Sequence, residues 1–283
     1  MDNKKNQRLL RDVIYYIFVT AFGFLMVYPI LWMFVSSVKP ATEIFNNALS
    51  LIPSMFMWEN YPIGWQGFGR TGFDVFFRNS AFVTTFVVIG TICSASIVAY
   101  GFARLNFKFK TALFACLMAT VMLPAQVTMI PQYILFHNIG WVNTFYPLIV
   151  PAFLGGAPFF VFLLIQFIRG IPRELDEAAI VDGCSTFGIF WRIILPLLKP
   201  ALVTVALFSF MWTWDDFLAP LIYLNSPDLH TVTIGLRNFM DADGGTKWGP
   251  LLAMSSLSLV PQFILFAFFQ KYLVQGIATT GLK

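Results

Sequence analysis

Long apolar runs are the feature that most restricts the fold of this chain. Each is about 20 residues long, which is enough for a helix to cross a bilayer. The runs lie near residues 13–35, 80–103, 111–130, 146–168, 201–223 and 250–273. Strands of a membrane barrel would alternate apolar and polar residues, and these runs lack that alternation. Only 11% of the residues are charged, against about 25% in soluble domains, so lipid must be the solvent. The sequence therefore predicts an all-α membrane protein with six transmembrane helices.

The distribution of Lys and Arg predicts the orientation of these helices. Cytoplasmic connections of membrane proteins carry an excess of Lys and Arg. If the N-terminus is cytoplasmic, 13 of the 18 Lys and Arg residues fall on the inner side. Both termini and the connection 169–199 are therefore predicted to be cytoplasmic. This bias also explains the net charge of +4, which gives no case for a nucleic-acid partner.

Three connections are predicted on the outer side. The first, 36–79, is long and rich in aromatic residues and glycine, so we expect it to fold against another part of the protein. The second, 131–145, has no Lys or Arg and is interpreted as a partly buried turn or short helix. The third, 224–249, is polar and includes Asp241 and Asp243.

The sequence offers no catalytic, cofactor or metal motif. The string from Gly67 to Gly72 has the spacing G-x-G-x-x-G, but it lies in an outer connection and not between a strand and a helix, as nucleotide binding requires. No phosphate-binding loop of the G-x-x-x-x-G-K-[ST] type occurs, so the chain is not expected to hydrolyse ATP. The three cysteines form no C-x-x-C pair, which argues against a metal site or a disulfide framework.

The connection 169–199 is unusually long and polar for a membrane protein. Pro172 is suited to the first turn of a helix, and the acidic residues after it favour the positive end of the helix dipole. Gly183 permits a sharp change of direction, and a second short helix is expected over about 185–194. The connection is therefore predicted to be a cytoplasmic helix-turn-helix between helices four and five. A generic amphipathic loop at the membrane surface, with no partner, is the alternative.

The residue spacing in this connection resembles a known motif. Glu177-Ala178-Ala179, then Gly183, then Ile193-x-Leu195-Pro196 resembles the motif of permease subunits of ATP-binding-cassette (ABC) importers. In that family this loop docks a cytoplasmic ATPase. The resemblance implies ATPase-docking residues, which are Glu177, Ala178, Ala179, Asp182, Gly183, Ile193, Leu195 and Pro196.

Other segments resemble those of the permeases for carbohydrates within this family, the maltose-permease-like branch. They include Leu123-Pro-Ala-Gln126, the stretch 140–147 and the sequence Trp214-Asp-Asp-Phe217. The resemblance implies a bacterial or archaeal cell (inner) membrane protein that forms a sugar pathway with a second, related permease. It further implies two ATPase subunits that bind ATP and Mg, a soluble solute-binding protein outside, and an oligosaccharide substrate.

The apolar runs, the Lys and Arg bias and the resemblance together set the expected division of the chain. A cytoplasmic segment 1–12 precedes a six-span permease domain 13–273, in which 169–199 is the docking loop. A cytoplasmic tail, 274–283, follows and is expected to reach the ATPase pair.

Asp215 and Asp216 are predicted to lie within the fifth helix, where ionised carboxylates need a wet cavity or a partner. One interpretation places them on a substrate path, where they bond sugar hydroxyls while Trp212 or Trp214 stacks on a sugar ring. Another pairs them with a structural partner such as Arg78. A proton relay through them would instead make the chain an ion-gradient-driven secondary transporter, and a membrane scaffold that moves no solute is a further possibility.

Overall fold

The computed structural model describes residues 2–67, 69–155, 157–240 and 245–278, and this part of the chain is helical with no β-strand. The helices are α1 Asp2–Ser36, α2 Ala41–Asn46, α3 Asn60–Trp65, α4 Phe73–Arg104, α5 Lys110–Met122, α6 Ala125–Asn138, α7 Tyr146–Phe153, α8 Pro158–Gly170, α9 Glu174–Val181, α10 Thr186–Ile189, α11 Leu195–Leu197, α12 Lys199–Trp214, α13 Leu218–Tyr223, α14 Val232–Asn238 and α15 Trp248–Ala278. A π-helical turn, Phe190–Ile194, joins α10 to α11. The predicted all-α class is therefore confirmed.

Four helical segments are long and apolar enough to cross a membrane, and the number rises to six if two bent helix pairs each count as one span. These four candidates are Leu9–Ser36, Phe73–Arg104, Tyr146–Gly170 (which comprises α7 and α8) and Trp248–Lys271. The bent pairs are α5 with α6, at 103°, and Thr186–Leu197 with α12, at 73°. Residues 2–12 of the expected cytoplasmic segment form part of α1, the same helix as the first span.

Prolines explain both bends. Leu123 has an extended backbone (φ −78°, ψ 127°) because a residue before proline avoids the helical conformation, and Pro124 follows it. The third apolar segment, predicted as one helix over 111–130, therefore turns sharply after Met122. The second bend lies among Pro196, Pro200 and the π-helical turn, each of which interrupts the regular helical hydrogen-bond ladder.

The fifth apolar segment is also shorter than predicted. The sequence predicted a helix over 201–223, but α12 ends at Trp214 and a new short helix, α13, begins at Leu218. The Asp216 carboxylate accepts a hydrogen bond from the backbone N–H of Ala219 at 3.3 Å. That bond satisfies a donor at the start of α13 and favours a new helix over continuation of the old one.

The described chain divides into two compact units. The first comprises Met1–Phe68 and Leu236–Leu259, and it contains most of the first outer connection. Lys39 is fully buried there, and its ammonium group donates to the carbonyl oxygens of Ser50 and Asn47. The ring of Phe45 meets that of Trp248 at 4.8 Å between centroids. Phe45 of this connection thus packs against the start of α15, so part of the connection folds against another segment, as expected.

The second unit comprises Gly69–Gly235 and Val260–Lys283, and α4 lies at its centre against α7, α8 and α12. Small residues let the helices approach closely. A Cβ atom on Gly90 would lie 2.6 Å from the Phe153 ring, and the Ser94 hydroxyl donates to the Ala152 carbonyl oxygen at 2.6 Å. Leu164, Ile165 and neighbouring apolar side chains fill the buried core.

Candidate functional site

A cavity of about 620 Å³ lies within the second unit, between α4, α5, α6, α7, α12 and α13. Its polar lining includes Thr84, Thr120, Gln126, Gln132, Thr213 and Asp216. Asp216 is the only charged side chain among the described residues that line it. Hydroxyl, amide and carboxylate groups around one space can accept and donate hydrogen bonds to a hydroxyl-rich solute.

The two adjacent aspartates point to different partners. Asp216 lines the cavity, whereas Asp215 is exposed and accepts a hydrogen bond from the Gln262 side-chain amide at 2.6 Å. A further bond, from the Thr233 hydroxyl to the Asp216 carbonyl oxygen, holds the backbone at the helix break. The partner of Asp215 is therefore Gln262, and not Arg78 as one interpretation of the sequence suggested.

The two tryptophans of α12 lie outside this lining. Trp214 is buried, with its ring stacked on Phe210 at 5.4 Å. Trp212 is half-exposed and packs on Phe160 at 5.0 Å and on Phe159 at 5.4 Å. In this conformation both rings contact other aromatic rings of the protein.

The connection 169–199 contains two helical segments and a tight turn. Helix α9 ends at Val181, and Gly183 has φ +77°, a left-handed conformation that favours glycine because it lacks a Cβ atom. Ser185 then caps α10, since its hydroxyl oxygen accepts a hydrogen bond from the backbone N–H of Gly188 at 3.2 Å. A short helix, a turn and a second helical segment thus follow one another here.

The residues predicted to dock an ATPase divide between surface and interior. Glu177, Ala178, Asp182, Gly183 and Pro196 are exposed. Ile193 and Leu195 are half-buried, and Ala179 is only 5% exposed because it packs into the core of the second unit. Large apolar side chains are exposed on this connection as well; they are Ile180, Val181, Phe187 and Trp191.

Buried polar contacts attach this connection to α4. The Tyr100 hydroxyl donates to the Thr186 carbonyl oxygen at 3.0 Å, and the Arg104 guanidinium donates to that of Ile171 at 2.7 Å. Arg104 Nε also lies 2.8 Å from Asp176 Oδ2, and both side chains are largely buried. The two groups form an ion pair but not a hydrogen bond, since the N–H bond of Arg104 Nε does not point towards the carboxylate oxygen.

These anchoring residues and Gln262 were not predicted from the sequence. Tyr100 and Arg104 lie near the end of an apolar run. The Lys and Arg bias by itself accounts for a cation such as Arg104 at this place, so its sequence position did not indicate an anchoring contact. Gln262 is a lone polar residue in the last apolar run, and that was the one available signal for it. Its partner is 47 residues away in sequence, so spacing did not reveal the pair.

His230 is a partly buried titratable group in the connection 224–249, which is predicted to lie outside. Its partial burial lowers the pKa of the imidazole, because desolvation penalises the charged form. No group of three or more His, Cys, Asp or Glu side chains in the described chain could hold a metal ion.

Comparison with known proteins decides the family. The family described as "Binding-protein-dependent transport system inner membrane component" matches residues 87–279. The chain belongs to this family. The probable ABC transporter permease protein YurM of Bacillus subtilis (strain 168) is 34% identical over 282 residues, which cover 100% of this permease and 92% of YurM. The arabinooligosaccharides transport system permease protein AraQ of Halalkalibacterium halodurans is 34% identical over 263 residues, which cover 92% of each chain.

A solved structure has the same fold as this permease. It is a bacterial ABC transporter involved in the import of the acidic polysaccharide alginate, at a TM-score of 0.80 and 19% identity, covering 93% of the permease and 96% of the solved chain. The resemblance to permease subunits of carbohydrate ABC importers is therefore confirmed, and the protein is a multi-pass membrane protein. The comparisons do not support the ion-gradient alternative. The family match includes Asp216 and the whole of the connection 169–199.

Proposed function

We propose that this permease forms, with a second and related permease subunit, the membrane pathway of an ATP-driven oligosaccharide importer. The observation that carries the proposal is the cavity at Asp216, whose lining combines hydroxyl, amide and carboxylate groups with apolar side chains, in a fold shared with an alginate importer. AraQ is named for arabinooligosaccharides, and hydroxyl-rich solutes of that class match the cavity's hydrogen-bonding groups.

The connection 169–199 is the docking site for a cytoplasmic ATPase in this proposal. Glu177, Ala178, Asp182 and Gly183 form its exposed polar and small-residue surface, and Ile180 and Val181 add apolar area beside them. Exposed apolar side chains on a short, anchored turn are typical of a surface that a partner covers. Ile193, Leu195 and Pro196 lie in the helical segment that follows the turn, and Ala179 packs α9 against the core.

The same geometry gives a route for motion. ATP and Mg would bind to the two ATPase subunits, and closure of that pair would displace α9. Because Tyr100 and the Arg104–Asp176 pair connect this region to α4, a displacement of the loop moves α4, whose Thr84 lines the cavity. The mechanism needs no catalytic residue or cofactor in the permease itself.

Within the pathway, we assign the contact with sugar to Asp216 and Thr213, which line the cavity. Asp215 serves a structural role through Gln262. Trp212 and Trp214 reach a sugar ring only if their present aromatic contacts change, so the proposed stacking belongs to another state of the transport cycle.

The outer side would receive sugar from a soluble binding protein. The connections 36–79 and 224–249 are the surfaces we propose for that contact, although residues 241–244, with Asp241 and Asp243, lie outside the described part of the chain. Both termini are proposed to be cytoplasmic. The segments 1–12 and 274–283 flank the permease domain 13–273, and the tail residues 279–283 are likewise not described.

Purification of the tagged permease from its own host in mild detergent tests the proposal. We expect co-purified ATPase and permease subunits, and uptake of arabinotriose or another oligosaccharide into proteoliposomes that requires ATP and the binding protein. Uptake without ATP would falsify the proposal. A preparation that never retains an ATPase would equally contradict the docking role.

A further inference from the structure

A second cavity in the same unit has a different chemistry. It measures about 640 Å³ and lies between the C-terminal ends of α4 and α8, the start of α5 and the start of α9. Its lining contains Arg104, Lys110, Arg169 and Arg173, with Glu174 as the only carboxylate in the described lining. None of these residues lines the cavity at Asp216. On the proposed orientation it faces the cytoplasmic edge of the bilayer.

Most of the positive charge in this cavity is unpaired. Arg104 is neutralised by Asp176, which is 2.8 Å away. In the described structure no carboxylate oxygen lies within 4 Å of the cationic groups of Lys110, Arg169 or Arg173. Like charges that share one partly enclosed space repel each other, and an anion placed among them removes that repulsion. Glu174 opposes an anion, but the three unpaired cations outnumber it.

An aromatic slot adjoins the basic cavity. This slot measures about 250 Å³, is lined by Phe102, Thr111 and Phe114, and shares Phe102, Lys110 and Arg169 with the basic cavity. The Arg169 guanidinium lies over the Phe114 ring at 5.7 Å, and the rings of Phe102 and Phe114 are 5.9 Å apart. A cationic space therefore continues into an apolar one.

We propose that the basic cavity binds a phosphate group, and that its source is the headgroup of an anionic phospholipid whose acyl chain lies along Phe102 and Phe114. Basic pockets between membrane helices on the cytoplasmic side suit anionic headgroups. A free phosphate would use the cations but would leave the aromatic slot without a role. A bound phosphate would bridge Lys110 on α5, Arg169 on α8 and Arg173, the residue immediately before α9. The lipid would thereby hold the root of the docking loop.

Native mass spectrometry of the intact complex tests this site. The complex is delipidated in mild detergent and titrated with dioleoylphosphatidylglycerol, with dioleoylphosphatidylcholine, and separately with inorganic phosphate. Arg169→Gln and Arg173→Gln should each weaken retention of phosphatidylglycerol about fivefold, since each cation near an anionic headgroup contributes about that factor. Arg169→Lys and Arg173→Lys keep the charge and should retain most of the binding. Lys108→Gln is the matched control, because Lys108 is exposed in the turn between α4 and α5 and lines neither cavity.

The results expected for a lipid site, for a site that takes soluble phosphate and for no site differ from one another. Loss of phosphatidylglycerol in the Gln variants, with retention in the Lys variants and in Lys108→Gln, supports the lipid site. Binding of inorganic phosphate that the same Gln variants weaken, without preference for phosphatidylglycerol, supports the phosphate site with a soluble source. Equal retention of phosphatidylglycerol and of phosphate in all variants overturns the proposal.

Discussion

At the residue scale, backbone conformation and burial decide the roles of a few positions. Gly183 is the clearest example. Its φ of +77° is readily adopted by glycine, whereas other residues adopt it at a cost of roughly 1–2 kcal/mol. A Cβ atom there would meet nothing within 4 Å, so the strain comes from the backbone and not from a clash. Asn tolerates this conformation far better than a β-branched residue does.

We therefore expect Gly183→Val to reduce both ATPase association and transport, whereas Gly183→Asn keeps them. Val cannot adopt the turn without strain, and Asn can. Pull-down of the ATPase and coupled ATPase activity measure the difference. If the Asn and Val variants are equally defective although both insert and fold, the ATPase needs a residue without a side chain at this position in order to approach closely. The left-handed backbone conformation is then not the reason for glycine. Intact coupling in Gly183→Val would count against a docking role for this residue.

The two aspartates should respond differently to loss of charge. Asp216→Asn can still accept the Ala219 hydrogen bond but loses the charge in the cavity, so the half-saturating sugar concentration should rise about 10-fold or more. Asp215→Asn should lower thermal stability by about 1 kcal/mol through a weaker Gln262 bond and leave that concentration unchanged. Uptake kinetics and thermal unfolding in detergent measure both. The opposite pattern would assign the substrate contact to Asp215.

Protonation of His230 is expected to make the stability of the folded protein depend on pH. Because burial lowers the pKa of the folded imidazole below its usual value of about 6.5, the unfolded chain binds the proton more readily. Stability should therefore fall as pH is lowered from 7 through about 6.5, and the fall continues until the folded state also takes up the proton. A series of melting temperatures from pH 7.5 to 5 measures this effect. His230→Asn should have a shallower slope, and identical slopes would contradict the prediction.

At the scale of helices, small residues and helix breaks shape the second unit. Gly90 allows α4 to approach the Phe153 ring, and the break after Trp214 places Asp216 at the cavity. The bend at Pro124 likewise directs α6 away from α5, so that both Thr120 and Gln126 reach the same cavity. Helix interruptions at membrane depth are tolerated where they line a cavity, and here they do.

Gly90→Ala is expected to destabilise the fold by about 1–3 kcal/mol, because the added methyl group would lie 2.6 Å from the Phe153 ring. Gly101→Ala in the same helix is the matched control, since nothing lies within 4 Å of its added carbon. Thermal unfolding in detergent compares the two. Phe153→Leu combined with Gly90→Ala should recover part of the loss, whereas equal stability of both single variants would argue against this packing.

At the scale of the whole molecule, orientation across the membrane determines what each surface can meet. The excess of Lys and Arg on one side predicts that the connection 169–199 is cytoplasmic and that 36–79 is outside. Docking of an ATPase, delivery of sugar and the proposed lipid site all depend on that arrangement.

Cysteine labelling of intact spheroplasts tests the orientation. In a variant without Cys93, Cys116 and Cys184, a cysteine at Leu49 should react with a membrane-impermeant maleimide, because this position is 87% exposed and predicted outside. A cysteine at Val181, which is 86% exposed, should react only after permeabilisation. The reverse pattern would invert the topology and remove the docking assignment.

The sequence alone determined the properties that depend on local composition. The length of the apolar runs indicated a membrane protein, and the Glu177-to-Pro196 spacing indicated the family that the comparisons confirmed. The Lys and Arg bias predicts an orientation in the membrane. These signals lie within single segments, so no knowledge of distant contacts was needed.

Only the tertiary structure decided which face each residue presents. Ala179 lies against the core although it stands in the same motif as the exposed Ala178, and Asp215 meets Gln262 while its neighbour Asp216 lines a cavity. The end of α12 at Trp214 was likewise hidden within an apolar run. Burial and hydrogen bonding depend on residues brought together from distant segments, and hydropathy along one segment carries no information about those partners.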